Sequence, residues 1–470
     1  MKISIIIATI GILSGVVVAI IANFIWRKSK RSDIKQLEQI SKQINDIKKY
    51  IDDLKNEPPS IITPFQQGLE AMKIYKWDEA INNFRKALVG AESDIKKVAI
   101  LNYIGNCYYN LGDLKQALVN YKESLDIARK ISDKKSIAAN LGNIGLVHQD
   151  IGQLDVALKY FEDSLKLDKE MEDKEGIATS LGNIGLVYQT KGDFNTALKY
   201  HEDSLRLNKE IGKKDGVSKQ LGNIGLIYHT LGDWGKALMY HEQALSIHKE
   251  IGDKVSEAKD FDNIGLIYQT TGELDKALEC HEQALNLNRE IGDKDGEAHS
   301  LGNIGIVYGI KGEFDKALPY FEDAKKINER LGRKHGVATQ LNNIALYYNQ
   351  KGELEIALKY LNDALNIHKE IGDKQNEAHN LANIGLIYQS KRDFQNAKKY
   401  YEQALVLHKK IGDVEGIAKD LGNIGFIFSI IGDKGNALNF YNQALVLFRK
   451  LGAKREIERT EKNIHILKNS

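Results

Sequence analysis

The chain has 470 residues, 28% of them charged, and its basic and acidic side chains balance to +2. So small a net charge gives no global field to draw in nucleic acid, and no nucleic-acid partner is expected. The two cysteines, Cys107 and Cys280, lie far apart inside helical patterns and read as small core hydrophobes, not as a disulfide or metal pair.

The first element in chain order is Ile3 to Ile25, a run of 23 residues without a charge. About 20 apolar residues cross a bilayer as a helix, so residues 1–26 are expected to form a transmembrane signal-anchor. Trp26 follows at the interface, then Arg27, Lys28, Lys30 and Arg31, against only Lys2 and the amino terminus on the other side. That excess of positive charge makes a single-pass membrane protein whose remainder faces the cytoplasm. A cleaved signal peptide fits less well, because the apolar run is long and no small-x-small site follows it. Export of the remainder is the alternative.

Leu37, Ile40, Ile44, Ile47, Ile51 and Leu54 alternate in steps of three and four. Residues 27–56 therefore read as a helical stalk. It is either a short coiled coil that joins two copies through Leu37–Leu54, or an amphipathic helix lying on the membrane or on the first repeat. Asn56-Glu-Pro-Pro-Ser60 breaks it, and residues 57–64 are expected to form a semi-rigid linker.

From 65 to 450 one stretch recurs. It is Leu181-Gly-Asn-Ile-Gly-Leu-Val-Tyr188, with counterparts starting at Leu141, Leu221, Phe261, Leu301, Leu341, Leu381 and Leu421 and a degenerate copy at Leu101. The starts are 40 residues apart without insertion or deletion. A fixed period of that length means stacked supersecondary units. In each unit helix A carries the stretch and a turn such as Lys191-Gly192-Asp193 follows. Helix B then carries Ala197, Tyr200 and Ser204, and a second turn such as Ile251-Gly-Asp-Lys254 closes the unit. In such turns Gly can end one helix and Asp can cap the next. Phe65 to Val89 reads as a divergent first pair. Residues 451–470 read as a polar capping helix anchored by Ile457, Ile464 and Leu467.

These residues resemble the tetratricopeptide repeat, whose pattern Trp-x2-Leu-Gly-x2-Tyr then Ala-x3-Phe is met by Leu181-x2-Ile184-Gly185-x2-Tyr188 and by Ala157-x3-Phe161. Two features depart from it. The common period is about 34 residues, and Lys209, Lys249 and Lys369 stand where a terminal proline would. The long-period form resembles the repeats of kinesin light chains and of the mitotic-spindle adaptor with Leu-Gly-Asn repeats. The resemblance implies an all-α fold, a right-handed superhelical solenoid of about ten helix-turn-helix repeats, preceded here by the transmembrane helix and stalk. It also implies binding of peptides or partner proteins without enzymatic activity.

At 100° per residue, Leu181, Ile184, Gly185 and Tyr188 fall on one stripe of helix A, the core against helix B. Gly185 costs about 1 kcal/mol of helix propensity relative to Ala, which close approach of a neighbouring helix would offset. The opposite stripe is neutral where a surface would carry Lys and Glu. By resemblance it lines the concave groove. The candidate peptide-binding residues are Asn143, Asn183, Asn223, Asn263, Asn303, Asn343, Asn383 and Asn423, with Leu186, Leu226, Leu266, Gln189, His229, Gln269 and Gln389. A carboxamide meets both the N–H and the C=O of a peptide backbone, so a column of them forms a ladder for an extended chain. The arrangement resembles the asparagine ladder in the repeat domain of O-linked N-acetylglucosamine transferase. Gly142, Gly182, Gly222, Gly302 and Gly422 beside them would let that chain come close. The rival reading is that each Asn bonds the adjacent repeat and staples the stack.

His201, His241 and His281 share one helix B position, but Phe161, Phe321, Leu361 and Tyr401 fill it elsewhere. They read as core side chains, and no metal site is expected. Lys219, Lys259 and Lys419 are too few for a carboxylate clamp. No Ser/His/Asp or Cys/His set stands outside the repeat pattern, so neither catalytic residues nor a cofactor are expected. The sequence thus points to a membrane-anchored scaffold or adaptor holding a peptide or partner protein in its groove. The alternative is a self-assembling structural protein that homo-oligomerises through the repeats or the stalk.

Overall fold

The computed structural model describes residues 59–74 and 76–469, and every regular element among them is an α-helix. Ten helix pairs follow one another. They are α1 (Pro59–Lys73) with α2 (Trp77–Val89), α3 (Asp94–Asn110) with α4 (Leu114–Lys130), α5 (Lys134–Asp150) with α6 (Leu154–Glu170), α7 (Lys174–Thr190) with α8 (Phe194–Glu210), and α9 (Lys214–Thr230) with α10 (Trp234–Ile251). Then come α11 (Lys254–Thr271) with α12 (Leu274–Ile291), α13 (Lys294–Ile310) with α14 (Phe314–Arg330), α15 (Lys334–Gln350) with α16 (Leu354–Ile371), α17 (Lys374–Ser390) with α18 (Phe394–Ile411), and α19 (Val414–Ile430) with α20 (Lys434–Leu451). A single helix, α21 (Lys454–Asn469), ends the series and buries Thr460, Ile464 and Leu467. This is the all-α helical-repeat architecture expected. The chain forms two compact units, one up to Tyr160 and one from Phe161.

No described helix is long and apolar enough to cross a membrane. The expected anchor (1–26) and stalk (27–56) lie outside the described residues. One boundary shifts, because residues 59–64, read as linker, belong to α1. Pro59 occupies the first helical position, where the missing N–H is not needed.

Most turns with Asp before the helix work as read, but α9, α12, α14, α15 and α16 follow Lys213, Glu273, Glu313, Arg333 and Glu353 and have no side-chain cap. In the second unit Asp193 Oδ1 accepts the Thr196 amide at 3.2 Å, and the Gly192 and Asp193 amides return to the Gln189 and Tyr188 carbonyls, each at 3.0 Å. Gly192 sits at φ +79°, which a side chain rarely tolerates. Three turns place another residue there, namely Ser132 (φ 56°), Glu172 (φ 55°) and Arg392 (φ 61°). Left-handed backbone costs a non-glycine residue about 1–2 kcal/mol, partly offset by glycine's freer unfolded chain. Ser132→Gly, Glu172→Gly and Arg392→Gly are each expected to stabilise by about 0.5–1 kcal/mol, read as a higher urea midpoint at unchanged slope.

Within each unit of the chain, helix A packs on its own helix B and on the helix B before it. Successive A helices also touch, as α3 on α5, α7 on α9, α11 on α13 and α17 on α19. Helix A is therefore enclosed on three sides. That is why Val187, Ile227 and Ile267 are buried along with Leu181 and Ile184, and part of why helix A carries so little charge. Aromatic rings glue A to B, with Tyr188 stacked on Tyr200 and Tyr228 on Tyr240 at 5.6 Å between centroids. The second glycine of the recurring stretch has the role expected of it. A Cβ on Gly185 would lie 2.8 Å from the His201 ring, and one on Gly305 would lie 2.5 Å from Phe321. The helix B side chain lies flat on bare backbone. Cys107 and Cys280 are free thiols that burial pushes up to about 11, so both stay protonated at neutral pH.

Candidate functional site

One column of polar residues escaped the sequence reading. The residue before each recurring stretch (Asn140, Ser180, Gln220, Asp260, Ser300, Gln340, Asn380, Asp420) is buried. Most of these bond the preceding helix B. Asn140 Nδ2 donates to Ser124 Oγ at 2.9 Å, Ser180 Oγ donates to Asp168 at 2.9 Å, and Asn380 Nδ2 donates to the Leu361 carbonyl at 3.3 Å. Gln220 pairs with His201 Nδ1 at 2.8 Å, Asp260 with His248 Nδ1 at 2.6 Å, and Asp420 with His408 Nδ1 at 2.7 Å. This column staples one helix pair to the next. Its signal was present in the sequence, because a surface position recurring every 40 residues would have drifted to Lys or Glu.

The asparagines of the stretch divide. In the first unit Asn143 Nδ2 donates to Asn102 Oδ1 at 3.1 Å, and Asn102 in turn reaches Asn140 at 3.1 Å, so there the asparagine is a staple. Asn303 is buried and its Nδ2 lies 3.4 Å from Asp262 Oδ1, while Asn343 bonds Gln340 of its own helix at 3.2 Å. Asn183, Asn223, Asn263, Asn383 and Asn423 are half-buried, and their amides make no side-chain bond among the described residues. Leu226 and Leu386 beside them are exposed, and Leu186 and Leu266 are half-buried.

Gln389 is committed elsewhere, since its Oε1 accepts the Tyr401 hydroxyl at 3.0 Å. Gln189 Oε1, Gln269 Oε1 and His229 Nε2 are buried atoms, so these three side chains turn inward as well. The glycines beside the asparagines also need correcting. Gly182 and Gly302 make room for the Gln220 and Gln340 amides of the next pair, 2.8 and 3.0 Å from a built Cβ, and not for a ligand. Gly222 and Gly422 do face open space. His201, His241 and His281 are core side chains, at most 1% exposed. Lys219 and Lys419 pair within their own helices with Asp215 and Glu415.

On this face, α17 and α19 frame a pocket of about 670 Å³ that includes Asn383, Leu386, Asn423 and Phe426 in its walls. It also holds His379, His408 and Asp413, which come from α17, α18 and the turn before α19. Residues on three separate elements leave no local spacing to find them by, and the sequence reading missed them.

A family model described as tetratricopeptide repeat matches residues 97–170, 176–250, 258–330, 310–370, 336–410 and 377–450. The chain belongs to the tetratricopeptide repeat family. Its members of this kind are protein-interaction scaffolds, and the all-helical repeat fold is typically non-enzymatic. No curated protein matches the sequence significantly. Among solved structures the chain is similar to a STAND signal-transduction ATPase with a tetratricopeptide repeat sensor from Pyrococcus horikoshii. The two share 15% identity over 80% of this chain and 56% of that one, with a TM-score of 0.54. It is also similar to a Rap protein complexed with competence and sporulation factor, with 13% identity, 75% and 98% coverage and a TM-score of 0.50. BtubC from P. vanneervenii is more distant in shape, with 21% identity, 47% and 91% coverage and a TM-score of 0.40. At these identities the likeness to the first two is one of fold alone.

Proposed function

We propose that this tetratricopeptide repeat protein is a membrane-anchored adaptor. Ile3–Ile25 holds it in the bilayer, the repeats face the cytoplasm, and an extended peptide or partner segment lies along the helix A face of the second unit. The observation that carries the reading is the division of labour between two polar columns. The buried column ending at Asp420 meets the need for staples, yet Asn183, Asn223, Asn263, Asn383 and Asn423 keep amides with no side-chain partner in the described fold. Leu226 and Leu386 supply exposed apolar contact beside them. A Rap protein with a similar fold is complexed with competence and sporulation factor.

The test replaces those five asparagines together by Ala in the full chain. Partner retention after crosslinking in the native membrane is expected to fall at least roughly tenfold, the loss of one or two backbone hydrogen bonds. The melting temperature should stay within a few degrees. Retained capture with a large loss of stability would overturn the ladder. Digestion of the repeats by protease added outside intact cells would overturn the orientation. Mass that rises with concentration in the detergent-solubilised chain would favour self-assembly through Leu37–Leu54.

A further inference from the structure

We propose that His379, His408 and Asp413 form a binding site for one zinc-class divalent ion in the pocket between α17 and α19. The ligating atoms of the three residues lie within 4.8 Å of one another. His379 Nε2 and His408 Nε2 are each 3.7 Å from Asp413 Oδ2. Two ligands about 2.1 Å from a tetrahedral ion stand roughly 3.4 Å apart, so a small closure brings the set to coordination distance.

Four further features fit an ion, and they meet at this one place. His408 is 1% exposed, and its Nε2 is a buried atom without a hydrogen-bond partner, aimed into the cluster. Its other nitrogen, Nδ1, is held by Asp420 Oδ2 at 2.7 Å. A carboxylate on the far nitrogen is the outer-shell partner that fixes the ring and its tautomer for metal binding. Asp413 spends Oδ1 on the Gly416 amide at 3.0 Å and leaves Oδ2 facing the histidines. Finally, a Cβ at Gly416 would sit 2.5 Å from His408 and 2.6 Å from Asp413 Oδ2, so glycine is what lets these ligands meet.

A second cluster, His335, His368 and Asp373, lies one repeat earlier but lacks three of these features, the glycine among them, since residue 376 is Asn. Asp373 Oδ2 already accepts from Asn376 Nδ2 at 2.8 Å, and residue 380, where Asp420 would correspond, is Asn. It serves as an internal control. Two imidazoles and one carboxylate suit zinc, with the fourth position open to the pocket. Two cations line the pocket, Lys419, which pairs with Glu415 at 2.6 Å, and Arg459. The site does not require that the groove bind a peptide.

The full chain in detergent, stripped with a chelator, is titrated with Zn²⁺ alone by calorimetry. One equivalent is expected to bind and to raise the melting temperature by mass action. His379→Gln alters an exposed side chain and should leave the fold intact while weakening that binding by roughly 100-fold or more. Asp420→Asn should weaken it by about 10–100-fold, and His335→Gln should leave it unchanged. Zinc binding by His379→Gln equal to that of the parent chain would overturn the site, as would the parent chain taking up no ion.

Discussion

Replacing Asp262 by Ala is expected to cost about 3–5 kcal/mol. The recurring stretch has glycine at this position in α5, α7, α9, α13 and α19. In α11 the carboxylate instead joins three helices. Asp262 Oδ1 receives His281 Nδ1 of α12 at 2.7 Å, and Oδ2 receives the Ser300 hydroxyl of α13 at 2.8 Å. Both partners are fully buried, so removing the carboxylate leaves an imidazole and a hydroxyl short of an acceptor in a site water does not reach. The pair Asp262→Gly with His281→Phe should recover much of the loss, because Gly302 and Phe321 already stand at these two positions one repeat later.

The same carboxylate gives the effect a pH dependence of definite sign. Burial pushes its pKa up, but the hydrogen bonds and charge of His281 and His299 more than reverse this, leaving it below the ordinary 3.8. A folded pKa below the unfolded one stabilises above the unfolded value, and that contribution disappears as pH falls through the folded value. Asp262 in turn raises the pKa of His299, a contribution present in acid and lost as pH rises through the His299 range. The difference in urea midpoint between parent and Asp262→Ala should therefore grow from about pH 7 down to about pH 5. It should shrink in stronger acid, below about pH 4. A difference that went on growing below about pH 4 would show that the carboxyl is buried neutral.

The unequal legibility of this protein in its sequence has a physical cause. A helix end needs glycine at positive φ and a cap needs a short acceptor, and both demands are met within four residues. Lys191-Gly192-Asp193 could therefore be read without a structure. Gly185 was legible for a similar reason, because a helix accepts the conformational cost of glycine only where something comes close. The inference from neutrality was weaker. The stripe of helix A opposite the core is uncharged partly because the helix is enclosed by two B helices and by its A neighbours. The stripe opposite the core therefore mixed inward-turned groups, such as Gln389, with free ones, such as Asn383. Telling them apart requires knowing that Tyr401, on another helix, reaches Gln389 but not Asn383. His408 and Asp420 were hidden in the same way, since each is an unremarkable residue of its own helix until the two helices are set side by side.

The glycine repeat supplies the second large effect, and the chain contains its own control. Gly385→Ala would put a Cβ 2.8 Å from Tyr401 Cε1 and 2.9 Å from Cδ1. The ring cannot give way easily, because it is 1% exposed and its hydroxyl is tied to Gln389. Overpacking of this kind costs about 1–3 kcal/mol, beyond the roughly 1 kcal/mol that Ala gains over Gly in a helix. Gly222→Ala, in the same stretch but facing open space, should gain that propensity without the clash and stabilise by up to about 1 kcal/mol. One repeat before Gly385, evolution has already made the compensating pair. Ala345 stands in place of the glycine and Leu361 in place of the ring, each 1% exposed. Tyr401→Leu alone leaves a cavity beside Gly385 and strips Gln389 of its donor, at about 2–4 kcal/mol. In the double variant, Gly385→Ala with Tyr401→Leu, the added methyl group fills the cavity that loss of the ring opens. The sum of the single losses should therefore exceed the measured double loss by about 1–3 kcal/mol, read from urea denaturation of all four chains. Simple additivity would mean that glycine is present for helix bending or for folding, and that the fit of ring to backbone sets nothing.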